Sequence, residues 1–199
     1  MFVLGQKATS DNRSFAFKAT YGYFIPLTSS YNNPIETTFK NNFNSPKQFV
    51  GIRLEYPRNV GKSRRYGELG ANYFINQTKN IGDTLKLNWF AYNFYFSLKY
   101  DLFKKNKYVS LLLCAGGLVG SQRIVVDNKS SQAYNNFNAS LVPQIQLRVQ
   151  PIKRISLGIE ASFLYDLTNP KWKNHSNTYL LDNSKFTGTT VNFFIGWCW

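Results

Sequence analysis

A chain of 199 residues suits one domain, and this one combines a net charge of +14 with 17 Phe, 13 Tyr and 4 Trp. So many aromatic side chains would make a water-soluble surface sticky. The longest apolar run, Val109 to Gly120, is too short for a membrane helix of about 20 residues, and two cysteines make no disulfide framework. What remains is a soluble β-protein or a membrane protein whose apolar signal is spread over alternating strands.

Met1 to Gly5 reads either as the remnant of an export signal or as an ordinary frayed terminus, and residues 1–13 form an N-terminal segment ahead of a domain spanning 14–199. A strand sends successive side chains to opposite faces, so a half-buried wall is apolar at every second position. Ser14 to Tyr23 sets Phe15, Phe17, Ala19, Tyr21 and Tyr23 against Lys18, Thr20 and Gly22. Gln48 to Tyr56 sets Val50, Ile52, Leu54 and Tyr56 against Gly51, Arg53 and Glu55. Gly67 to Ile75 follows, with Leu69, Ala71, Tyr73 and Ile75 opposite Glu68, Gly70 and Asn72.

The fourth segment, Leu85 to Tyr100, changes phase. Leu85, Leu87, Trp89 and Ala91 share one face, then Tyr92, Phe94, Phe96, Leu98 and Tyr100 take it over. A β-bulge near Ala91 and Tyr92 would do this. Tyr108 to Gly120 is apolar on both faces, with small inward residues at Ser110, Cys114 and Gly116. Asn136 to Gln150 alternates most clearly, with Pro143 on its outward face marking a bulge or a poorly paired spot. Ile155 to Leu167 places Glu160 and Asp166 on its polar face, and the last segment carries Val191, Phe193, Ile195, Trp197 and Trp199 on its apolar one. Connections at one end are long at Pro26 to Lys47 and Thr168 to Ser184, with a short one after Asn76. At the other end they are short at Asp101 to Lys107 and Pro151 to Arg154, and longer at Pro57 to Tyr66.

The pattern predicts an all-β, eight-stranded antiparallel up-and-down barrel. A soluble barrel would show the same alternation with its apolar face inside, and charge distinguishes the two. The polar face carries Lys18, Arg53, Lys99 and Arg148 against Glu55, Glu68, Glu160 and Asp166, a neutral set in a chain of +14. A solvated face has no reason to be neutral here, whereas a buried face must pair its charges. That face also holds Gly22, Gly51, Gly70, Gly116, Gly158 and Gly196, which make room in a narrow interior. Aromatics collect at two rims. Tyr56, Tyr100, Tyr108, Trp197 and Trp199 mark one, and Tyr23, Tyr73, Trp89, Phe137 and Tyr165 the other, as girdles at two membrane interfaces would. The apolar face therefore meets lipid, and the interior is filled and polar.

Over essentially its whole length the chain resembles the small outer-membrane barrels of the OmpA/OmpX type. The closing strand Phe193-Phe194-Ile195-Gly196-Trp197-Cys198-Trp199, ending in an aromatic, is similar to the signal read by the outer-membrane assembly machinery. The resemblance implies a bacterial outer-membrane location with long outer loops and short periplasmic turns. The three turns then hold Arg58, Lys62, Arg64, Arg65, Lys104, Lys105, Lys107, Lys153 and Arg154, offset only by Asp101. Such a basic collar would attract anionic lipid head groups or an acidic periplasmic protein, or be merely a solvated rim. Nucleic acid is a poor fit, since hairpin turns offer no stacking surface.

Some barrels of this class are hydrolases. The one histidine, His175, adjoins Ser176, with Asp166 and Asp182 flanking its loop. Neighbouring residues on a strand point to opposite faces, so the pair has the wrong geometry for a catalytic dyad, and a solvated loop histidine is expected. Glu55, Glu68 and Glu160 are read as structural partners of Lys18, Arg53 and Arg148 rather than as a catalytic pair. No catalytic residue, metal, cofactor or small-molecule substrate is expected, and Cys114 and Cys198 lie at different heights, too far apart to bond. The expectation is a non-enzymatic structural or interaction barrel, either free-standing or an accessory subunit of an outer-membrane assembly or secretion complex, whose partners are outer-membrane lipids and other outer-membrane or periplasmic proteins. Its alternatives are a narrow pore and a lipid-modifying enzyme.

Overall fold

The computed structural model describes residues 15–27, 47–57, 65–81, 85–103, 108–127, 131–168, 171–173, 179–182 and 187–199. The expected N-terminal segment 1–13 lies outside them. All regular structure among the described residues is strand: β1 Ala16–Pro26, β2 Lys47–Pro57, β3 Arg65–Ile81, β4 Leu85–Asp101, β5 Val109–Asp127, β6 Ser131–Ile152, β7 Ile155–Asp166, β8 Lys171–Lys173, β9 Tyr179–Asp182 and β10 Gly188–Cys198. Strands β1 to β7 and β10 each pair antiparallel with the next, and β10 returns to β1 from Ala16↔Cys198 to Pro26↔Gly188. The eight-stranded up-and-down barrel expected from the alternation is thus closed. The short β8–β9 hairpin leans on β6 through Asn135↔Lys173.

Burial follows the period of two. Along β1 the residues alternate strictly, with Phe17, Tyr21, Tyr23 and Ile25 exposed and Lys18, Thr20 and Phe24 buried. The exposed face of the whole barrel is a continuous apolar band that includes Ile52, Leu69, Phe94, Leu141, Ile159 and Phe193. An apolar outside around a barrel whose charged side chains point inward is the arrangement that lipid selects and water rejects.

Two features depart from the sequence reading. First, β4 has no bulge at Ala91 and Tyr92. Its register with β5 runs unbroken from Lys86↔Asp127 to Asp101↔Leu112, and Trp89 and Ala91 point inward with Asn93 and Tyr95. The irregularity lies on the neighbouring strand, where Phe74↔Ala91 is followed by Gln77↔Trp89, so two residues of β3 oppose one of β4. The phase change seen in sequence has another cause: the barrel interior itself turns apolar at this height. Trp89 therefore leaves the predicted aromatic girdle and joins the interior.

Second, the wall is uneven. β1, β2, β7 and β10 have 11 or 12 residues, whereas β3 and β4 have 17, β5 has 19 and β6 has 22. The surplus lies at one end: Ser131 to Ala139 of β6 extend beyond Ser140↔Asp166, where the ladder with β7 stops. At about 3.4 Å per residue, nine residues extend one wall by roughly 30 Å along the strand. The alternation read in the sequence covers only part of this extension: on the third segment it ends at Ile75, and Gln77, Thr78, Lys79 and Asn80 that follow are all polar. Ladder hydrogen bonds need no apolar face, so pairing continues where the lipid signal ends. Pro143 sits outward on β6, and the β6–β7 ladder passes from Leu141↔Tyr165 to Gln144↔Ser162 without a partner for it, as a residue lacking an N–H requires.

Candidate functional site

The interior has two layers. The lower one, towards the short turns, is built of charges. Register pairs Lys18 with Arg53 and, one row below, Glu55 with Glu68. Like charges placed directly opposite repel, so each row is stable only through the row beside it. Lys18 Nζ bonds to Glu55 and lies 2.8 Å from Glu68 Oε2. Lys99 Nζ donates to the same Glu68 oxygen at 2.7 Å and to Gln146 Oε1 at 2.6 Å. Arg53 reaches across the lumen to Glu160 Oε2 at 2.5 Å while lying 3.3 Å from Glu68 Oε1. Arg148 holds Glu55 Oε1 at 2.5 Å.

This network joins six strands, and Lys18, Glu68 and Glu160 are 0% exposed. Rings complete the packing, with the Arg53 guanidinium 4.4 Å from the Tyr95 centroid and Arg148 5.2 Å from that of Tyr66. Room comes from glycine: a Cβ on Gly70 would lie 2.7 Å from Arg53 Cγ, and one on Gly196 would lie 3.2 Å from Lys18 Cγ.

Of the eight interior charges picked from sequence, seven meet here. Asp166 does not. It is inward and buried, but it ends β7 six residues beyond Glu160, about 20 Å along the strand. There its carboxylate accepts from Thr168 N at 2.9 Å and Thr168 Oγ1 at 2.6 Å. The network proper therefore sets four cations against three carboxylates, not four against four.

The upper layer is aromatic. Phe24, Phe49, Phe74, Trp89 and Tyr134 pack with Leu118, Ile124, Val142 and Leu164. Phe74 is its hub, with ring centroids 5.0 Å from Phe49, 5.8 Å from Trp89 and 5.9 Å from Phe24. Trp89 Nε1 donates to Gln122 Oε1 at 3.3 Å, so its polar atom is paired. Lys47, which the sequence reading leaves at the end of a loop, opens β2 instead, is buried, and places Nζ 5.2 Å from the Trp89 ring centroid. Gln144 and Gln146 stand on the polar face expected of Asn136 to Gln150, and Tyr95, not expected in this layer, donates to Gln144. Their signal is present in the sequence, since all three stand in phase with charged residues on their strands.

On the outer surface, Tyr100, Tyr108, Trp197 and Trp199 are exposed and Tyr56 is half-buried near the short turns, while Tyr23, Tyr73, Phe137 and Tyr165 are exposed towards the long-stranded end. Of the basic collar, Arg65, Lys153 and Arg154 are described and exposed. Arg58, Lys62, Arg64, Lys104, Lys105 and Lys107 lie outside the described residues, as does His175. Cys114 and Cys198 are both free and buried. Among the described residues no group of three His, Cys, Asp or Glu side chains is placed to hold a metal ion.

No protein-family model matches the sequence, and no curated protein matches it. Solved structures do match in fold. Neisserial surface protein A superposes with a TM-score of 0.58 at 14% identity, covering 93% of this chain and 97% of that one. A major outer membrane protein of Thermus thermophilus gives 0.57 at 7% identity over 94% and 100%. Ail, the attachment invasion locus protein of Yersinia pestis, gives 0.51 at 11% identity over 93% and 95%. The fold is that of the small OmpA/OmpX-like outer-membrane barrels.

Proposed function

We propose that this outer-membrane barrel is a non-enzymatic structural and interaction protein, an accessory subunit that works through its two ends rather than through its lumen. The observation that carries this reading is the buried ion network. Lys18, Arg53, Lys99 and Arg148 are bound to Glu55, Glu68 and Glu160, so the charges that could have guided a solute are engaged with one another. A plug of this kind, capped by the aromatic layer around Phe74, suits a rigid membrane element. The surfaces left for recognition are the extended wall of β3 to β6 on one side and the basic turns on the other.

The experiment is mild-detergent extraction from the native host, with co-purifying proteins identified for the native chain and for a variant with Arg64, Arg65, Lys104 and Lys105 changed to Glu. A stoichiometric outer-membrane or periplasmic partner, strongly depleted by the variant, is expected. Unchanged recovery would remove the turns from the interaction. A steady open conductance in planar bilayers would replace this reading with a pore.

A further inference from the structure

A depression lies in the lipid-facing wall among the described residues. It has a volume of about 380 Å³, and its outward lining is Arg65 on β3, Leu98 and Tyr100 on β4, and Leu113 and Ala115 on β5. These five share the outward phase of their strands and are all exposed, while the intervening Tyr66, Lys99 and Cys114 point into the barrel. The volume falls within the range of small-ligand sites.

Register explains why the groove is there. Gly67, Leu98 and Ala115 form one row across the three strands, flanked below by Arg65, Tyr100 and Leu113 and above by Leu69, Phe96 and Gly117. The wall is short of side-chain volume along this row. At Gly67 the Tyr56 ring fills the space a Cβ would take, and at Gly117 the Phe96 ring does so. Ala115 contributes only a methyl group, and the depression lies along it. Among the described residues its walls are apolar and its outward ionic group is Arg65, at the end nearest the short periplasmic turns.

We propose that this groove seats one anionic glycerophospholipid of the periplasmic leaflet. An acyl chain lies against Leu98, Leu113 and Ala115, and the phosphate meets the Arg65 guanidinium beside the Tyr100 phenol. The occupant follows from position and charge. The groove opens within the apolar band, so hydrocarbon fills it, and its cation stands at the level where leaflet phosphates lie. Guanidinium matches phosphate with two parallel hydrogen bonds. This inference rests on the membrane placement and is independent of the accessory-subunit reading.

Native mass spectrometry of the purified barrel in mild detergent tests it, with phosphatidylglycerol and phosphatidylcholine of matched chains as probes. The native chain is expected to retain one phosphatidylglycerol, preferred about fivefold, the equivalent of about 1 kcal/mol for one basic residue at an anionic surface. Ala115→Trp, which fills the groove, should abolish retention of both lipids. Arg65→Gln should keep the chain contact and lose the preference. Ala161→Trp, outward on the opposite wall at β7, should change neither. Heat-modifiable migration on gels reports folding, and Ala115→Leu replaces the tryptophan variant should that one misfold. Equal retention by native and groove-filled barrels, or equal loss in the Ala161 control, would reduce the bound lipid to a nonspecific annulus and overturn the proposal. An undiminished preference in Arg65→Gln would overturn the headgroup assignment.

Discussion

The two layers inside this barrel solve the same packing problem by different physics. The lower layer fills space with long charged side chains, each stable only because several opposite charges reach it; the upper layer fills it with rings, which need shape alone. Glu68 is bound by Lys18, Lys99 and Arg53, whereas Phe74 touches Phe24, Phe49 and Trp89 through their faces and edges. Charge is unforgiving of a conservative change and shape is not. Both layers are enclosed by one wall, so the contrast can be measured within a single molecule.

The largest effect is expected from Glu68→Gln. It keeps the side-chain shape but leaves three buried cations short of a partner, at about 3–5 kcal/mol of stability. Reversible urea unfolding in lipid vesicles checks it, and a loss below about 1 kcal/mol would mean that water, not Glu68, compensates these cations. Phe74→Ala should cost about 3 kcal/mol through the cavity it opens. Phe74→Leu, by contrast, should cost less than about 1.5 kcal/mol, because a ring layer can close around a similar volume. If the leucine variant is as damaging as Glu68→Gln, the two layers are equally strict and the contrast fails. Trp89→Phe removes the bond to Gln122 and some ring area while keeping the shape, and should cost about 1 kcal/mol, the smallest change in the series. Loss of that tryptophan also serves spectroscopically. Its emission should be that of a buried indole, unresponsive to brominated lipid, whereas Trp89 in the girdle would be quenched.

Much of the wall is legible in the sequence. Phe15, Phe17, Tyr21 and Tyr23 announce the lipid face of β1 through spacing alone, and the neutral set of inward charges shows which face is buried. The site is legible in part. Lys18, Arg53, Glu55, Glu68, Lys99, Arg148 and Glu160 can be picked from phase, yet nothing in the phase separates Asp166 from them. Asp166 and Glu160 share a face and differ only in height. Trp89 shows the converse failure: its apolar character points to lipid only if the interior is polar throughout, and Phe49, Phe74 and Leu164 make it apolar at that level.

Alternation is a property of the backbone, two residues per repeat, and each strand reports its own faces without knowledge of its neighbours. The number of strands, their phases and the direction of the apolar face can therefore be read along the chain, one segment at a time. Height is different. It depends on the register of every strand with the next around a closed ring, and no single segment carries that information. Closure brought Arg53 of β2 against Glu160 of β7, 107 residues away, and left Asp166 to bond Thr168 at the far end. It also set Gly67, Leu98 and Ala115 in one row, where three strands with unremarkable alternation together leave a groove.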